Sequence, residues 1–193
     1  MRVFVAGASG VIGVRLLPLL VGEGHAVAGM TRSPEKVELV RRLGALPVVC
    51  DVFDRQALRE AMVEFGPEAV VSELTDLPDD REQLHAFEAA NDRMRREGTR
   101  NLLDAAAGAK APRFLAQSIA WRLPGERGAA VAELERMVLE AGGVVLRYGQ
   151  LYGPGTFYET ELPELPRVHV DEAAERTADL LEAESGVVTI TDA

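Results

Sequence analysis

The sequence predicts an α/β fold: a doubly wound parallel sheet with helices on both faces. Three observations predict it. Short β-branched runs alternate with longer helical stretches along the 193 residues. Those runs are apolar on both faces, as strands of a covered parallel sheet are. A glycine-rich turn joins the first run to the first helix, the arrangement that opens a βαβ unit.

The strand candidates are 2–6, 25–30, 46–50, 69–74, 113–117, 143–147 and 187–191. Helices are expected over 11–23, 34–43, 55–65, 81–107, 129–141 and 171–184. Ser33-Pro34 reads as an N-cap followed by a proline at the first helical position. Asp54 is placed to cap the next helix. Gly44, Gly66 and Gly142 fall where helices stop. The proline- and glycine-rich stretch 152–170 reads as a surface loop. The chain is expected to form a single domain, 1–193, with a dinucleotide-binding core over 1–147 and a substrate-side segment over 148–193.

Composition narrows the partners. A formal net charge of −10 argues against a nucleic-acid backbone as ligand. Three glycines and Arg15 interrupt the early apolar stretch, so it reads as neither a signal peptide nor a membrane span. The single cysteine, Cys50, cannot form an internal disulfide and fits a reducing cytoplasm as a buried thiol. His25, His85 and His169 have no metal-ligand spacing, and no metal site is expected.

The turn after the first strand reads Gly7-x-x-Gly10-x-x-Gly13. Gly7 permits the tight exit from the strand, Gly10 lets backbone approach a pyrophosphate, and Gly13 allows close helix packing. The helix start then offers free N–H groups to phosphates. This predicts a Rossmann-like dinucleotide site. At the end of the second strand the residue that would hold an NAD ribose is not acidic. Thr31, Arg32 and Ser33 stand there, a cation and two hydroxyls suited to the 2′-phosphate of NADP. NADP is therefore preferred over NAD.

"GASGVIG" (7–13), "DVFD" (51–54), "EGTRNLLDAA" (97–106), "QSIA" (117–120), "LRYGQLYGPGT" (146–156) and "RVHVDEAAE" (167–175) occur in an order that resembles the extended short-chain dehydrogenase/reductase superfamily, in its NAD-dependent epimerase/dehydratase branch. The resemblance covers nearly the whole chain. It implies that Gly7, Ser9, Gly10, Val11 and Ile12 hold the pyrophosphate, with Gly13 completing the cofactor-binding motif, that Asp51 and Val52 meet the adenine, and that Leu74 and Thr75 line the ribose side. It implies Ser118 as the active-site serine and places Tyr148 to Gly155 beside the nicotinamide and substrate. It implies structural roles for Asn91 and for His169 to Asp171. It also implies a homodimer face on the long and the alanine- and glutamate-rich helices, and a small C-terminal substrate-side lobe.

The family's Tyr-x-x-x-Lys pair is missing. The best register puts Arg127 at the tyrosine position and Val131 at the lysine position. The only lysines are Lys36 and Lys110, and the tyrosines, Tyr148, Tyr152 and Tyr158, all lie beyond this helix. The segments Ala120–Gly128 and Phe157–Val168 and the stretch after the last strand are short beside the family pattern.

Tyr158 is the one candidate for a substitute acid, or else a phenol that contacts substrate. Trp121 either lines a substrate pocket or closes the core. The acidic stretch 75–82 either caps a helix or turns Asp76 toward the ligand. "AQSIA" lacks the glycines of a nucleophile elbow, which weakens a hydrolase reading. Two functions stay open: an atypical NADP-dependent oxidoreductase or nucleotide-sugar epimerase-like enzyme on a small molecule, and a non-catalytic NADP-binding redox sensor or scaffold.

Overall fold

The alternation of apolar runs and helices builds one seven-stranded parallel sheet in the order β3-β2-β1-β4-β5-β6-β9. The computed structural model describes residues 1–78 and 80–192. Asp79, within the acidic stretch, and Ala193 lie outside the described residues. In chain order the elements are β1 (Arg2–Ala6), α1 (Gly13–Gly22), β2 (Ala26–Thr31), α2 (Val37–Arg42), β3 (Leu46–Val49), α3 (Arg55–Phe65) and β4 (Ala69–Ser72). There follow α4 (Glu88–Arg93), α5 (Thr99–Gly108), β5 (Arg113–Ile119), α6 (Gly125–Glu140) and β6 (Val144–Tyr148). The chain continues through β7 (Gln150–Tyr152), β8 (Arg167–His169), α7 (Val170–Asp179) and β9 (Gly186–Ile190).

Two apolar cores follow from strand alternation. Val3, Val5, Val71, Leu115 and Leu146 face one side, where Leu16, Leu17 and Leu20 of α1 and Ala173, Ala174 and Ala178 of α7 cover them. Phe4, Val70, Phe114 and Val145 face the other, under Leu58 and Met62 of α3, Leu102 of α5 and Leu134 and Val138 of α6. Burial on both faces is what the continuous apolar strands require.

Several expectations are corrected in detail. The helix expected over 81–107 is broken into a 3₁₀ segment Arg81–Phe87, α4, a π-helical turn Met94–Gly98 and α5. The wide turn ends at Gly98, where a Cβ would sit 2.7 Å from the Met94 sulfur, so side-chain packing rather than propensity sets the break. Residues 152–170 are not all loop: Arg167–His169 pairs in parallel with Gln150–Tyr152 as a small separate sheet. Helix α6 starts at Gly125, four residues earlier than expected, and α7 ends at Asp179. Asp54 does cap α3, its carboxylate accepting from the Ala57 N–H at 3.1 Å. Ser33 precedes a 3₁₀ turn and makes no side-chain cap bond.

The C-terminal ends of β1, β2 and β4 meet at the glycine turn. Gly7 has φ +88°, and a Cβ there would lie 2.5 Å from the Glu73 carbonyl oxygen. The Gly7 and Ala8 N–H groups both donate to the Met30 carbonyl, at 3.2 and 3.0 Å. Gly24 has a similar φ of +84° but open space around it. Gly7→Ala is therefore expected to cost roughly 2–3 kcal/mol, against about 1 kcal/mol for Gly24→Ala, because only the first adds a backbone collision to the left-handed conformation. Urea unfolding of the two variants checks the difference, and equal losses would contradict the contact.

Candidate functional site

The glycine turn leads into the N-terminus of α1, where Ile12 is the residue before the helix and no side chain caps it. A Cβ on Gly13 would lie 2.3 Å from the Gly7 carbonyl oxygen, so Gly13 lets the helix start fold back against the turn itself. Ser9 and Thr31 bridge the turn to the end of β2 through their hydroxyls, 3.0 Å apart, and the Ser33 N–H donates to Thr31 Oγ1 at 3.2 Å. These residues make a cradle of backbone N–H groups and hydroxyls at the carboxyl edge of the sheet, the place where open α/β sheets bind ligands.

Arg32, half exposed at the end of β2, donates to the Asp76 carboxylate at 2.9 Å. In the strand order, β1 lies between β2 and β4. The pair therefore spans the carboxyl edge of β1 beside the turn. Asp76 is anchored in turn by its N–H, which donates to the side-chain Oδ1 of the buried Asn91 at 3.0 Å. Asp76 is thus held beside the glycine turn, and Asp80 of the same acidic stretch caps the 3₁₀ segment by accepting from the Glu82 N–H at 2.9 Å. Leu74 is half-buried against the α3 and α5 side, and Thr75 is exposed at the rim. Asp51 is exposed and accepts from the Phe53 N–H at 2.9 Å, while Val52 is buried and its carbonyl accepts from Asn101 at 3.1 Å. Cys50 is buried, and burial, with Asp54 and Asp51 nearby, pushes its thiol up to about 11, as an inert thiol requires.

Arg15, one turn into α1, ties the cradle to the C-terminal segment. Its guanidinium donates to the Val11 carbonyl at 2.8 Å, the Pro154 carbonyl at 2.5 Å and Asp171 at 2.5 Å. A Cβ on Gly155 would lie 3.6 Å from Val11, so the Gly-Pro-Gly turn leans on the glycine turn. Tyr158, on the same loop, donates to Gln150 Oε1 at 3.0 Å, and Arg81 stacks on its ring at 4.5 Å. His169 caps α7, its Nδ1 accepting from the Asp171 N–H at 3.3 Å.

Ser118 does have a partner. Its hydroxyl donates to Glu135 Oε1 at 2.6 Å, and Arg147 clamps the same carboxylate with two bonds, at 2.8 and 2.6 Å. Burial would raise the Glu135 pKa, but the Arg147 fork and the Ser118 hydroxyl outweigh it and hold the carboxylate below its ordinary range. Glu135 is therefore an anion that orients Ser118. Arg127 pairs with Glu88 at 2.7 Å, on the outer side of the helix start. Val131 lines a cavity together with Trp121, Glu135 and Arg147.

A second buried acid sits beneath the cradle. Tyr148 is 2% exposed, and its oxygen lies 2.9 Å from Glu73 Oε1 and 2.6 Å from Thr177 Oγ1. The Thr177 hydroxyl donates to the Ala173 carbonyl at 2.7 Å. Each hydroxyl has one proton. With Thr177 donating to Ala173, Tyr148 donates to Thr177, and the Tyr148 oxygen is left to accept from a protonated Glu73. Burial pushes Glu73 up from 4.5 to about 8, in agreement with that proton count.

Two signals in the sequence point to these groups: an acid following the apolar β4 run, and an arginine inside the β6 run. A charge within a buried strand calls for a partner.

A family model described as NAD(P)H-binding matches residues 7–141. The 3-diazoavenalumate denitrifying reductase of a Streptomyces species is 36% identical over an alignment of 235 positions, covering all of this chain and 76% of that protein. The alignment is longer than the chain, so that relative carries internal segments that this chain does not. A ketoreductase of Stigmatella aurantiaca acting on 4-hydroxy-2-methyl-3-oxo-4-farnesyl-3,4-dihydroquinoline-1-oxide is 42% identical over 62 residues, 32% of this chain and 19% of that protein. Among solved structures, the UDP-glucose 4-epimerase of Thermus thermophilus in complex with NAD superposes with a TM-score of 0.80 at 20% identity, covering 99% of this chain and 78% of that one. The UDP-Glc/GlcNAc 4-epimerase of Campylobacter jejuni gives 0.81 at 14% identity, covering 98% and 78%.

Two outcomes test the buried acids. Between about pH 4.5 and about 8 the folded state keeps the Glu73 proton while the unfolded chain loses it, so stability falls as pH rises through this window. Urea unfolding across the window should show wild type losing stability relative to Glu73→Gln, which can donate to Tyr148 at every pH, by up to about 1.4 kcal/mol per pH unit. Parallel profiles would mean that Glu73 is ionised in the fold. Arg147→Ala should cost roughly 2 kcal/mol, below the value for a fully buried pair because Arg147 is 41% exposed, and Glu135→Gln in that background should recover much of the loss. Failure of the second change to rescue would separate Arg147 from the Glu135 charge.

Proposed function

Because the chain belongs to the NAD(P)H-binding family, we propose that it is an NADP-dependent reductase of a small molecule, working without the tyrosine–lysine proton relay. The observation that carries this reading is the Ser118–Glu135–Arg147 cluster beside an apolar Val131. Ser118 is held by a carboxylate that stays ionised, and the position of the relay lysine is apolar. Such a site orients an acceptor and has no acid to protonate an alkoxide. It suits an acceptor whose reduction needs hydride alone.

An arenediazonium group is such an acceptor, and the Streptomyces relative is named for denitrifying a diazo compound. A bound reduced nicotinamide would supply the hydride that replaces the diazonium group, whose two nitrogens would leave as N₂ with the C–N bonding pair. The products are the arene, N₂ and oxidised cofactor, and no proton enters the balance.

The chain's own residues divide the work. The turn from Gly7 to Gly13, with Ser9 and Thr31, holds the pyrophosphate through N–H and hydroxyl donors. Arg32 meets the 2′-phosphate of NADP and must share or leave Asp76 to do so. Ser118, aligned by Glu135, orients the acceptor. Tyr158, on the adjoining loop, donates its phenol proton to Gln150 and would contact substrate rather than protonate it.

The second reading is a cofactor-binding sensor without turnover. The Ser118 hydroxyl committed to Glu135 favours it. Incubation with NADPH deuterated at C4 and a panel of acceptors separates the two. An arenediazonium salt is expected to give monodeuterated arene and N₂, with deuterium from the cofactor. Deuterium taken only from solvent, or binding of NADPH without oxidation by any acceptor, would favour the sensor. NADPH should bind more tightly than NADH, and Arg32→Ala should remove the difference.

A further inference from the structure

The segment between β5 and α6 builds a cavity of 420 Å³ beside the Ser118 cluster. Gly128 makes it possible: a Cβ there would fall 2.1 Å from the Leu123 carbonyl oxygen, so only glycine lets the loop rest on α6. The walls differ in chemistry. Trp121 and Val131 are apolar, and Glu135, Arg122 and Arg147 are charged. Glu135 is spent on Ser118 and on two nitrogens of Arg147. The third Arg147 nitrogen donates to no group among the described residues, and Arg122 has no acidic partner among them. Two guanidinium groups against one carboxylate give the cavity a positive balance, in a chain whose net charge is −10.

We infer that this cavity binds a planar aromatic ring carrying an anionic substituent, a carboxylate above all. The anion meets Arg122 and the free edge of Arg147, where charge-assisted bonds are strong. The ring lies against Trp121, whose indole is 37% exposed and gains an offset or edge contact. Val131, where a lysine would add a third cation, leaves an apolar wall for the far side of the ring. A cavity of about 150 Å³ already holds benzene, so this one takes a ring with its substituents. The inference rests on the reductase reading only in calling this ligand the substrate. The cavity itself is open to test without cofactor.

Trp121 is the only tryptophan in the chain, so its emission reports directly on the cavity. The protein without cofactor is titrated with benzoate, benzamide and cyclohexanecarboxylate. Benzoate should change the emission saturably, and the neutral amide and the non-planar acid should each bind at least about tenfold more weakly. Arg122→Ala, on an exposed side chain, should weaken benzoate about tenfold and leave benzamide unchanged. Val131→Glu should abolish benzoate binding by placing a like charge in the cavity. Equal binding of benzoate and benzamide, an unaltered benzoate affinity in Arg122→Ala, or no response of Trp121 to benzoate would each overturn the assignment. NADPH binding is measured separately. Benzoate binding without NADPH binding would sink the reductase reading and leave the cavity standing, and the reverse result would do the opposite.

Discussion

The constraint on which the rest of the structure depends is the backbone-to-backbone approach at Gly7. The turn after β1 is held from one side by the Met30 carbonyl at the end of β2 and stands against the Glu73 carbonyl after β4 on the other. Neither contact leaves room for a side chain. This closeness sets the height at which α1 begins, which presents its free N–H groups at the sheet edge. It also fixes Glu73, whose side chain turns down onto Tyr148 and, through it, Thr177 of α7. The glycine turn and the buried acid are two faces of one tight junction.

The carboxyl ends of β5 and β6 are built differently. There the fixed element is a charge shared among three side chains from β5, α6 and β6. A part-buried carboxylate held by a forked guanidinium and a hydroxyl specifies direction well, because loss of any partner leaves an uncompensated group. Arg15 joins the two halves of the cleft, since its single guanidinium reaches the glycine turn, the Gly-Pro-Gly turn and α7.

The fold was legible because strand burial on both faces and glycine spacing are local signals. Gly7, Ser9 and Thr31, named together from the sequence, do lie together at this turn. The π-helical turn was not legible, because Gly98 packs against Val52, far away in sequence, as well as against Met94 of its own turn. The partner of Ser118 was missed for a similar reason. Nothing in the sequence pairs Glu135 with Ser118, and only the parallel pairing of Ser118 with Arg147 across β5 and β6 brings the three together. Tyr148 was read as a cleft residue from its motif, and strand alternation places its hydroxyl on Glu73 and Thr177. Strand β8 was hidden by the prolines and glycines around it, and its partner β7 is only three residues long.

The position of β9 has a consequence for how the chain is made. This strand pairs with β6, and α7, just before it, covers Tyr148 and Glu73. The cradle of β1, α1, β2 and β4 leaves the ribosome far earlier than either element. A nascent chain that has reached β6 therefore has its dinucleotide half complete while one face of the sheet is still wet, with Leu146, Tyr148 and the Glu73 carboxyl open to solvent. During that interval the apolar face is the part of the molecule most exposed to mispairing. Arrival of residues 167–190 seals the face and closes α7 over Tyr148, whose hydroxyl joins Glu73 to Thr177.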